Sequence, residues 1–345
     1  MKAILTDLLA IIGVVLNGLP QGLLALTFGF ASVPTALAFF VGAVGNTITQ
    51  SVAPISFQAE TITYAGTAGK DRSERCTMIF IGGAFGLLTK IVNFVGEDVA
   101  YGMMAGVGII LVKAAIDMIK SDAISGGVSL AAALITYYFT KDSANTLVYT
   151  IVISVVASCI ANAFFNKEKS SIVVEDDKFV RQKFTINANV ILGALGMVCL
   201  NIGSNISFGG ITAGMATGGN YNVDNLTVIS SLADMFSSFF GGAPVEAIIS
   251  ATANAPHAVW AGVIMMVVIG VILLLKLLPK IGKFVPSSSI AGFLFVLGIF
   301  KTVVLDAPSA FAVNAAVGGT TMVVTAVTNP FLGMLAGVAA KLLGL

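Results

Sequence analysis

The sequence predicts an all-α polytopic membrane protein with about 14 transmembrane segments, arranged as two inverted repeats of seven segments each. Three observations carry this prediction. Hydrophobic residues make up 57% of the 345 residues and charged residues only 10%, with a mean hydropathy of +0.98. No ordinary soluble domain has this composition. Apolar runs of membrane-spanning length recur along the chain, and matching motifs return at a fixed spacing.

Composition also excludes several classes of function. The net charge is +1, and no basic tail or aromatic-basic patch is present, so we expect no nucleic-acid partner. The three cysteines lack the close spacing of a metal site or a disulfide framework. No Gly-rich nucleotide loop with a following lysine occurs. We therefore expect no cofactor and no metal, and a multi-pass location in the lipid bilayer of the cell membrane.

The apolar runs form two groups, and a polar connector at 166–184 separates them. Residues 1–165 are predicted to be the first repeat and residues 185–345 the second. The runs lie at roughly 4–28, 32–50, 76–95, 98–119, 122–140 and 145–165, and then at 185–217, 225–240, 257–278, 286–305, 308–327 and 329–344. Two further segments, 53–67 and 243–255, are too short to cross about 30 Å of hydrocarbon as helices. Each is predicted to be a half-helix, segments 3 and 10, after non-helical backbone that lines a cavity.

Matched motifs show the repeat directly. Ala-Pro steps at Pro54 and Pro244 each open one of the short segments, and their spacing is 244 − 54 = 190 residues. The same spacing relates Leu87–Val95 to Leu277–Val285, Gly102 to Gly292 and Gly108 to Gly298. We expect these glycines to allow close helix packing. Because seven is odd, the second repeat enters the bilayer in the opposite sense. Inverted repeats with two broken helices are typical of secondary transporters, which bind substrate between the breaks.

Two carboxylates in these short segments are the first candidates for function. Glu246 follows Pro244 by two residues inside apolar sequence, where a charge costs about 2.5 kcal/mol or more and normally faces a cavity or a partner. We expect Pro244 to begin a helix, with Glu246 binding substrate and a coupling proton. Pairing with a lysine at a helix end is the alternative. Glu60 is a second candidate for proton coupling. The alternative, which the sequence supports equally, is that its side chain faces the loop and not the site.

Polar and aromatic residues around the breaks complete the predicted substrate site. Asn17 with Gln21, and Asn201 with Asn205, are pairs four residues apart, so each pair lies on one helical face. Amides offer both donors and acceptors to a heterocycle, while interhelical hydrogen bonding is the alternative. Further candidates are Ser56, Gln58 and the aromatic residues Phe57 and Phe208, for which core packing is the alternative. Asp234 and His257 are expected near the membrane interface.

Two stretches resemble a known family. Val33–Asn46 is similar to the second helix of the nucleobase/cation symporters, and Leu232–Gly242 with Glu246 resembles the azaguanine-type purine permease branch. That family shares its fold of seven plus seven segments with sulfate and bicarbonate transporters. The resemblance implies a core domain of about 1–95 plus 185–284, a gate domain of about 96–165 plus 285–345, and a homodimer. The chain departs from the branch on the eighth segment, where amides replace an acidic residue.

These residues and the resemblance predict proton-coupled nucleobase transport by alternating access, with a purine such as guanine, hypoxanthine or xanthine favoured over uracil. An anion transporter of the same fold, of the sulfate or bicarbonate type, is the alternative, although a carboxylate at a helix tip repels anions. A membrane-embedded enzyme is disfavoured, because the chain has one histidine and neither an HExxH nor a GxSxG motif. Orientation stays open, since the Lys/Arg count puts both termini outside and the resemblance puts them inside.

Overall fold

A computed structural model describes residues 2–87, 95–142, 146–165, 178–216, 220–282 and 284–344. The helices of the first half are α1 (Lys2–Thr27), α2 (Ser32–Thr49), α3 (Ala59–Ala68), α4 (Arg72–Gly86), α5 (Glu97–Ser121), α6 (Ala123–Thr140) and α7 (Thr146–Phe165). Most of the predicted polar connector, 166–177, and most of the motif at Leu87–Val95 lie outside the described residues. The rest of the connector, 178–184, is not helical.

The second half repeats this order with more interruptions. Its helices are α8 (Ala188–Met215), α9 (Val223–Phe239), α10 (Ala258–Leu274), α11 (Leu277–Gly282), α12 (Ala291–Val296), α13 (Val304–Val327) and α14 (Pro330–Leu342). Short 3-10 turns occur at Ala251–Asn254 and Ser287–Ile290, and a π-helical turn at Leu297–Val303 joins α12 to α13. Two strands of two residues each, β1 (Ile55–Ser56) and β2 (Glu246–Ala247), pair with each other.

The described residues include six helical stretches that are long and apolar enough to cross a membrane. One of them, Ser287–Val327, has 41 residues and is about twice as long as one crossing needs. It is broken at Asn314, where φ is −154° and ψ is 108°. The side chain of Asn314 caps the following helix by accepting from the backbone N–H groups of Ala316 and Val317. The predicted boundary between two spans at 306–307 is therefore wrong by about two turns.

The two short segments also begin differently from the prediction. Pro54 and Pro244 lie in extended backbone rather than at the start of a helix. The strands that follow them pair antiparallel, Ile55 with Ala247 and Ser56 with Glu246. Pairing satisfies backbone groups that have no water partner at this depth. Only then do the helical parts begin, at Ala59 for α3 and as the single 3-10 turn Ala251–Asn254.

Contacts divide the helices into two groups. In the core group, α2 packs against α9 and α10, and α4 packs against α8 and α9, with α1 against α10. In the gate group, α13 packs along α5 and against α14, and α6 packs against α7 and α12. This is the inverted-repeat architecture that the sequence predicts. The residue boundaries predicted for the two domains and the homodimer stay predictions.

The two membrane sides can be assigned by following the crossings. We call the side where α1 begins side A and the side where it ends side B. Backbone bridges support the assignment: Ser51 after α2 meets Asn220 before α9 on side A, and Ala31 before α2 meets Gly242 after α9 on side B. The end of α14 returns to side A, where Lys341 contacts Asp98 at the start of α5 at 3.2 Å.

Small residues let α5 approach the second repeat closely. A Cβ added at Gly102 would lie 2.6 Å from the carbonyl oxygen of Gly318, and one at Gly108 would lie 2.7 Å from that of Gly298. Both distances are far below van der Waals contact, so only glycine fits. The role in close helix packing predicted for Gly102, Gly108 and Gly298 is confirmed.

Replacing Gly108 with valine should therefore separate α5 from the π-helical turn. We expect a loss of about 1–3 kcal/mol of stability, as for other overpacked interiors, seen as a lower thermal midpoint of the purified protein in detergent. Gly127→Val is the matched control, since a Cβ at Gly127 meets no described atom within 4 Å. Equal midpoints for the two variants would contradict this account of the interface.

Candidate substrate-binding site between the core and gate groups

A cavity of about 260 Å³ lies beside the two interrupted segments, between the core and gate groups. Most of its polar lining comes from α1, the start of α3, the 3-10 turn of segment 10 and the π-helical turn. These polar residues are Asn17, Gln21, Gln58, Glu60, Asn254, Lys301 and Thr302. Apolar residues such as Phe208 and Phe293 form much of the remaining wall. The cavity reaches toward side A, because Thr146 at the start of α7 and Met215 at the end of α8 also line it.

Five residues singled out in the sequence meet in this cavity: Asn17, Gln21, Gln58, Glu60 and Phe208. Two of the amides also hold the interrupted backbone in place. Gln21 accepts from the backbone N–H of Ala59 at 2.9 Å and so caps the start of α3. Gln58 donates to the carbonyl oxygen of Ala247 at 3.2 Å and ties α3 to β2. The side-chain oxygen of Asn17 is buried without a hydrogen-bond partner among the described residues, so it is free to accept from a ligand.

Ser56 and Phe57 are fully buried next to this cavity but do not line it. Phe57 packs edge-on against Phe39, with ring centroids 5.0 Å apart. This is the core-packing alternative, and it leaves no free ring face of Phe57 for a substrate in this conformation.

Glu60 connects the core group to the gate group. It is 2% exposed, and its Oε1 accepts from the Thr302 hydroxyl in the π-helical turn at 3.1 Å. A second bond of the same kind lies nearby, where the Ser207 hydroxyl on α8 donates to Asp306 Oδ1 on α13 at 2.7 Å. Both bonds join a carboxylate on one group to a hydroxyl on the other. They must break if the two groups move relative to each other.

Glu246 does not line the cavity. Its side chain is 0% exposed, and neither carboxylate oxygen has a hydrogen-bond partner among the described residues. Asn201 on α8 and Ser230 on α9 lie against it, and the Asp234 side chain is a second acidic group nearby. Asn205 donates to Asn201 Oδ1 at 2.8 Å and contacts the Thr227 hydroxyl at 3.0 Å. Glu246, Asn201 and Asn205, which the sequence placed beside the substrate, thus form a separate polar cluster inside the core group.

Asp234 and His257 are both predicted from the sequence to lie near the membrane interface, and the structure agrees with this for His257 alone. Asp234 is 2% exposed and accepts from the backbone N–H of Val245 at 2.8 Å, so its predicted interfacial position at a helix start is wrong. Among the described residues Asp234 is the partner of the Val245 N–H, so the buried carboxyl group satisfies a backbone donor in the interrupted segment. His257 precedes α10 on side A, where its Nδ1 lies 2.8 Å from Asp7 Oδ2. An exposed position at the membrane edge agrees with the prediction.

Sequence reasoning missed Lys301, Asn254, Thr302 and Asp306. A usable signal was present for two of them. Lys301 and Asp306 are charged residues inside an apolar run, and such residues face a cavity or a partner for the same reason that singled out Glu246.

Comparison with known proteins places the fold. No family model and no curated relative matches the chain. Solved structures do match. The transmembrane domain of a cyanobacterium bicarbonate transporter, BicA, aligns with a TM-score of 0.64 at 16% identity over 98% of each chain. Murine Solute Carrier 26 family member A9, an anion transporter captured in the inward-facing state, aligns at 0.68 and 13% identity over all of this chain and 68% of its own.

A second structure of SLC26A9 aligns at 0.68 and 14% identity, over 99% of this chain and 65% of its own. At these identities the likeness shows the fold alone. The chain is therefore a multi-pass membrane protein with the core-and-gate, inverted-repeat fold found in the transmembrane regions of these anion transporters.

The resemblance to the nucleobase/cation symporters is wrong. The three solved structures described above, which align with nearly the whole chain, come from anion transporters of the same general fold. The motifs behind the resemblance, Val33–Asn46 and Leu232–Gly242, contain mainly small and apolar residues, which serve helix packing in any member of this fold. Glu246, the residue that pointed to the purine branch, lies outside the cavity.

Replacing Glu246 with glutamine separates the structural position of this residue from its predicted role in binding. The amide cannot ionise, so the buried site never has to hold a charge, and it can pair with Ser230 and Asn201. We expect the thermal midpoint in detergent to rise, by about 1–3 kcal/mol of stability. Ligand-induced shifts of the midpoint should stay within a factor of two of those of the unmodified chain.

A matched measurement on Glu60→Gln completes this test, because Glu60 lines the cavity. That variant should change ligand-induced shifts when sulfate, chloride or bicarbonate is added. Loss of these shifts in Glu246→Gln alone would show that the buried cluster, rather than the cavity, binds the ligand.

Proposed function

We propose that this protein is a secondary transporter that moves a small anion across the membrane by alternating access. The observation that supports this most is the cavity at the two interrupted segments, between groups of helices that can move relative to each other. Two proteins that share the fold also carry anions, since BicA is a bicarbonate transporter and SLC26A9 is an anion transporter.

The cavity offers positive and donor groups to an anion. Lys301 contributes an ammonium group, and α3 directs its N-terminal end, which carries partial positive charge, toward the site. The amide groups of Asn17 and Asn254 add neutral donors. The objection that a carboxylate at the tip of segment 10 repels anions no longer applies to Glu246, because that side chain lies outside the cavity.

Glu60 gives the site a means of coupling. An anion and an ionised carboxylate in one small cavity repel each other strongly where water is scarce. A proton on Glu60 removes that repulsion, so the anion and the proton favour each other's binding. We therefore assign the coupling proton to Glu60, which lines the cavity, in preference to Glu246, which does not.

The same residue links binding to movement. The Glu60–Thr302 and Ser207–Asp306 hydrogen bonds hold the core group against the gate group in the present conformation. A proton on Glu60 weakens the first bond, since a neutral carboxyl is a poorer acceptor than a carboxylate. Substrate and proton together thus release one of the two contacts that resist the transition.

Transport assays on the purified protein in liposomes test this proposal. Radiolabelled sulfate, chloride and bicarbonate are offered outside, with and without an inward proton gradient, and empty liposomes are the control. We expect saturable uptake of at least one of the three anions that rises when the gradient is imposed. Absence of uptake for all three, or uptake of labelled guanine or uracil in their place, would contradict the proposal.

Glu60→Gln should uncouple transport from the proton. The amide has the size of a protonated carboxyl and cannot gain or lose a proton, so exchange of anion for anion should persist. Accumulation driven by the pH gradient should fall by about tenfold or more, which corresponds to about 1.4 kcal/mol of lost coupling. Asp7→Asn, a change of the same type on the exposed edge of side A, should leave the gradient response unchanged. A gradient response in Glu60→Gln equal to that of the unmodified chain would move the proton elsewhere.

A further inference from the structure

A second cavity lies on the opposite side of the membrane. Its volume is about 370 Å³, and it too lies between the core and gate groups. The core group contributes the end of α3 and the start of α8, and the gate group contributes α5 and the end of α13. Polar groups that line it are Tyr64, Thr67, Lys113, Asn189, Thr328 and Asn329. Because α3 and α13 end on side B and α8 begins there, this cavity belongs to side B.

Lys113 is the single charged residue among the described residues that line this second cavity. It lies within the membrane-spanning helix α5, and its ammonium group donates to the carbonyl oxygen of Ala326 near the end of α13. Capping a helix end is one role for it. An ammonium group has three donors, however, and its described hydrogen bond uses one. The side chain is otherwise exposed to the cavity.

The inverted repeat gives Lys113 a counterpart. The gate segment of the first repeat is α5, and its equivalent in the second is the α12–α13 segment, as the spacings 292 − 102 = 190 and 298 − 108 = 190 show. Lys301 lies on that second segment, two residues before Val303, the position that matches Lys113 at this spacing (113 + 190 = 303), and it lines the cavity on side A. Each gate segment thus places one lysine in the cavity on its own side of the membrane.

Helix α3 lines both cavities. Glu60 near its start faces the cavity on side A, and Tyr64 one turn later lines the cavity on side B. Four residues of helix span about 6 Å, so a shift of the core group by about one helical turn carries the start of α3, with Glu60, from the side-A cavity toward the side-B cavity. The anion must meet the groups of the second cavity when it leaves the first.

We propose that the side-B cavity is a second anion-binding site, with Lys113 as the group that binds the anion as it enters or leaves on that side. This inference rests on the proposed transport function. In the present conformation the carbonyl oxygen of Ala326 holds the ammonium group, and an arriving anion takes over some of its donors. Lys301 performs the equivalent role on side A.

Side-resolved kinetics test this assignment. The chain is reconstituted at one protein per vesicle. Asp142→Cys places an exposed thiol on side A, where membrane-impermeant biotin maleimide reacts with it only if side A faces outward. Streptavidin then separates liposomes with side A outward from those with side B outward. The chain without Asp142→Cys controls for labelling of the native cysteines. The apparent KM for uptake of radiolabelled sulfate, chloride or bicarbonate is then measured for each population.

Lys113→Gln should raise the apparent KM about tenfold for uptake from side B and leave that from side A within about twofold, since a charge-assisted contact is worth roughly 1.4 kcal/mol. Lys301→Gln should show the opposite pattern. Lys113→Arg should restore most of the affinity on side B, because the positive charge is retained. A purely structural cap would instead lower the thermal midpoint and the maximal rate from both sides, with KM unchanged.

The outcomes separate this inference from the function on which it rests. If the unmodified chain transports none of the three anions, the proposed function and the second site both fail. If it transports an anion and Lys113→Gln changes KM on neither side or equally on both, the transport function stands and the assignment of Lys113 is overturned.

Discussion

The backbone of the two interrupted segments crosses the interior of the protein in a form that cannot satisfy its own hydrogen bonds. Water is scarce at this depth, so each backbone N–H or C=O group left without a hydrogen-bond partner costs several kcal/mol. The structure meets this demand by pairing β1 with β2 and by bringing side chains from the neighbouring helices. Asn46 on α2 donates to the carbonyl oxygen of Ala53, and Thr35 accepts from the N–H of Ala243. Several polar side chains of the core group serve this purpose in the structure.

The same requirement determines where a ligand can bind. Thr212 on α8 donates to the carbonyl oxygen of Ile248 at 2.7 Å and accepts from the N–H of Ser250 at 3.1 Å, so this part of segment 10 is already occupied. Gln21 similarly occupies the N–H of Ala59. The space left for a substrate lies between these hydrogen-bonded segments and the gate group. There Lys301 and Glu60 are the charged groups among the described lining residues. The cavity therefore combines one cation with one titratable acid.

The separation between supporting and lining groups explains why polar residues beside the second break suggested a nucleobase site. Asn201, Asn205 and Glu246 have the chemistry of a heterocycle site, and in the sequence they stand beside the second break. In the fold they lie inside the core group, where Asn205 on α8 donates to Thr227 on α9 and to Asn201 on its own helix. Their polarity serves the interior of one helix group, and Glu246, Asn201 and Asn205 do not line the cavity between the core and gate groups.

Sequence alone determined the membrane class, the number of segments, the inverted repeat and the two breaks. These features depend on hydropathy over whole segments and on motifs such as Pro54 with Pro244 and Gly102 with Gly292, which the chain carries locally. Only the tertiary structure decided which polar residues share a cavity, where α3 begins after its break, and that the long helix reverses at Asn314. A polar residue in apolar sequence must face something other than lipid, but it satisfies that rule equally well against a neighbouring helix or a cavity. Glu246 and Glu60 obey the same local rule. Glu246 is enclosed by α8 and α9, whereas Glu60 faces the gate group across the cavity, and this packing makes them different.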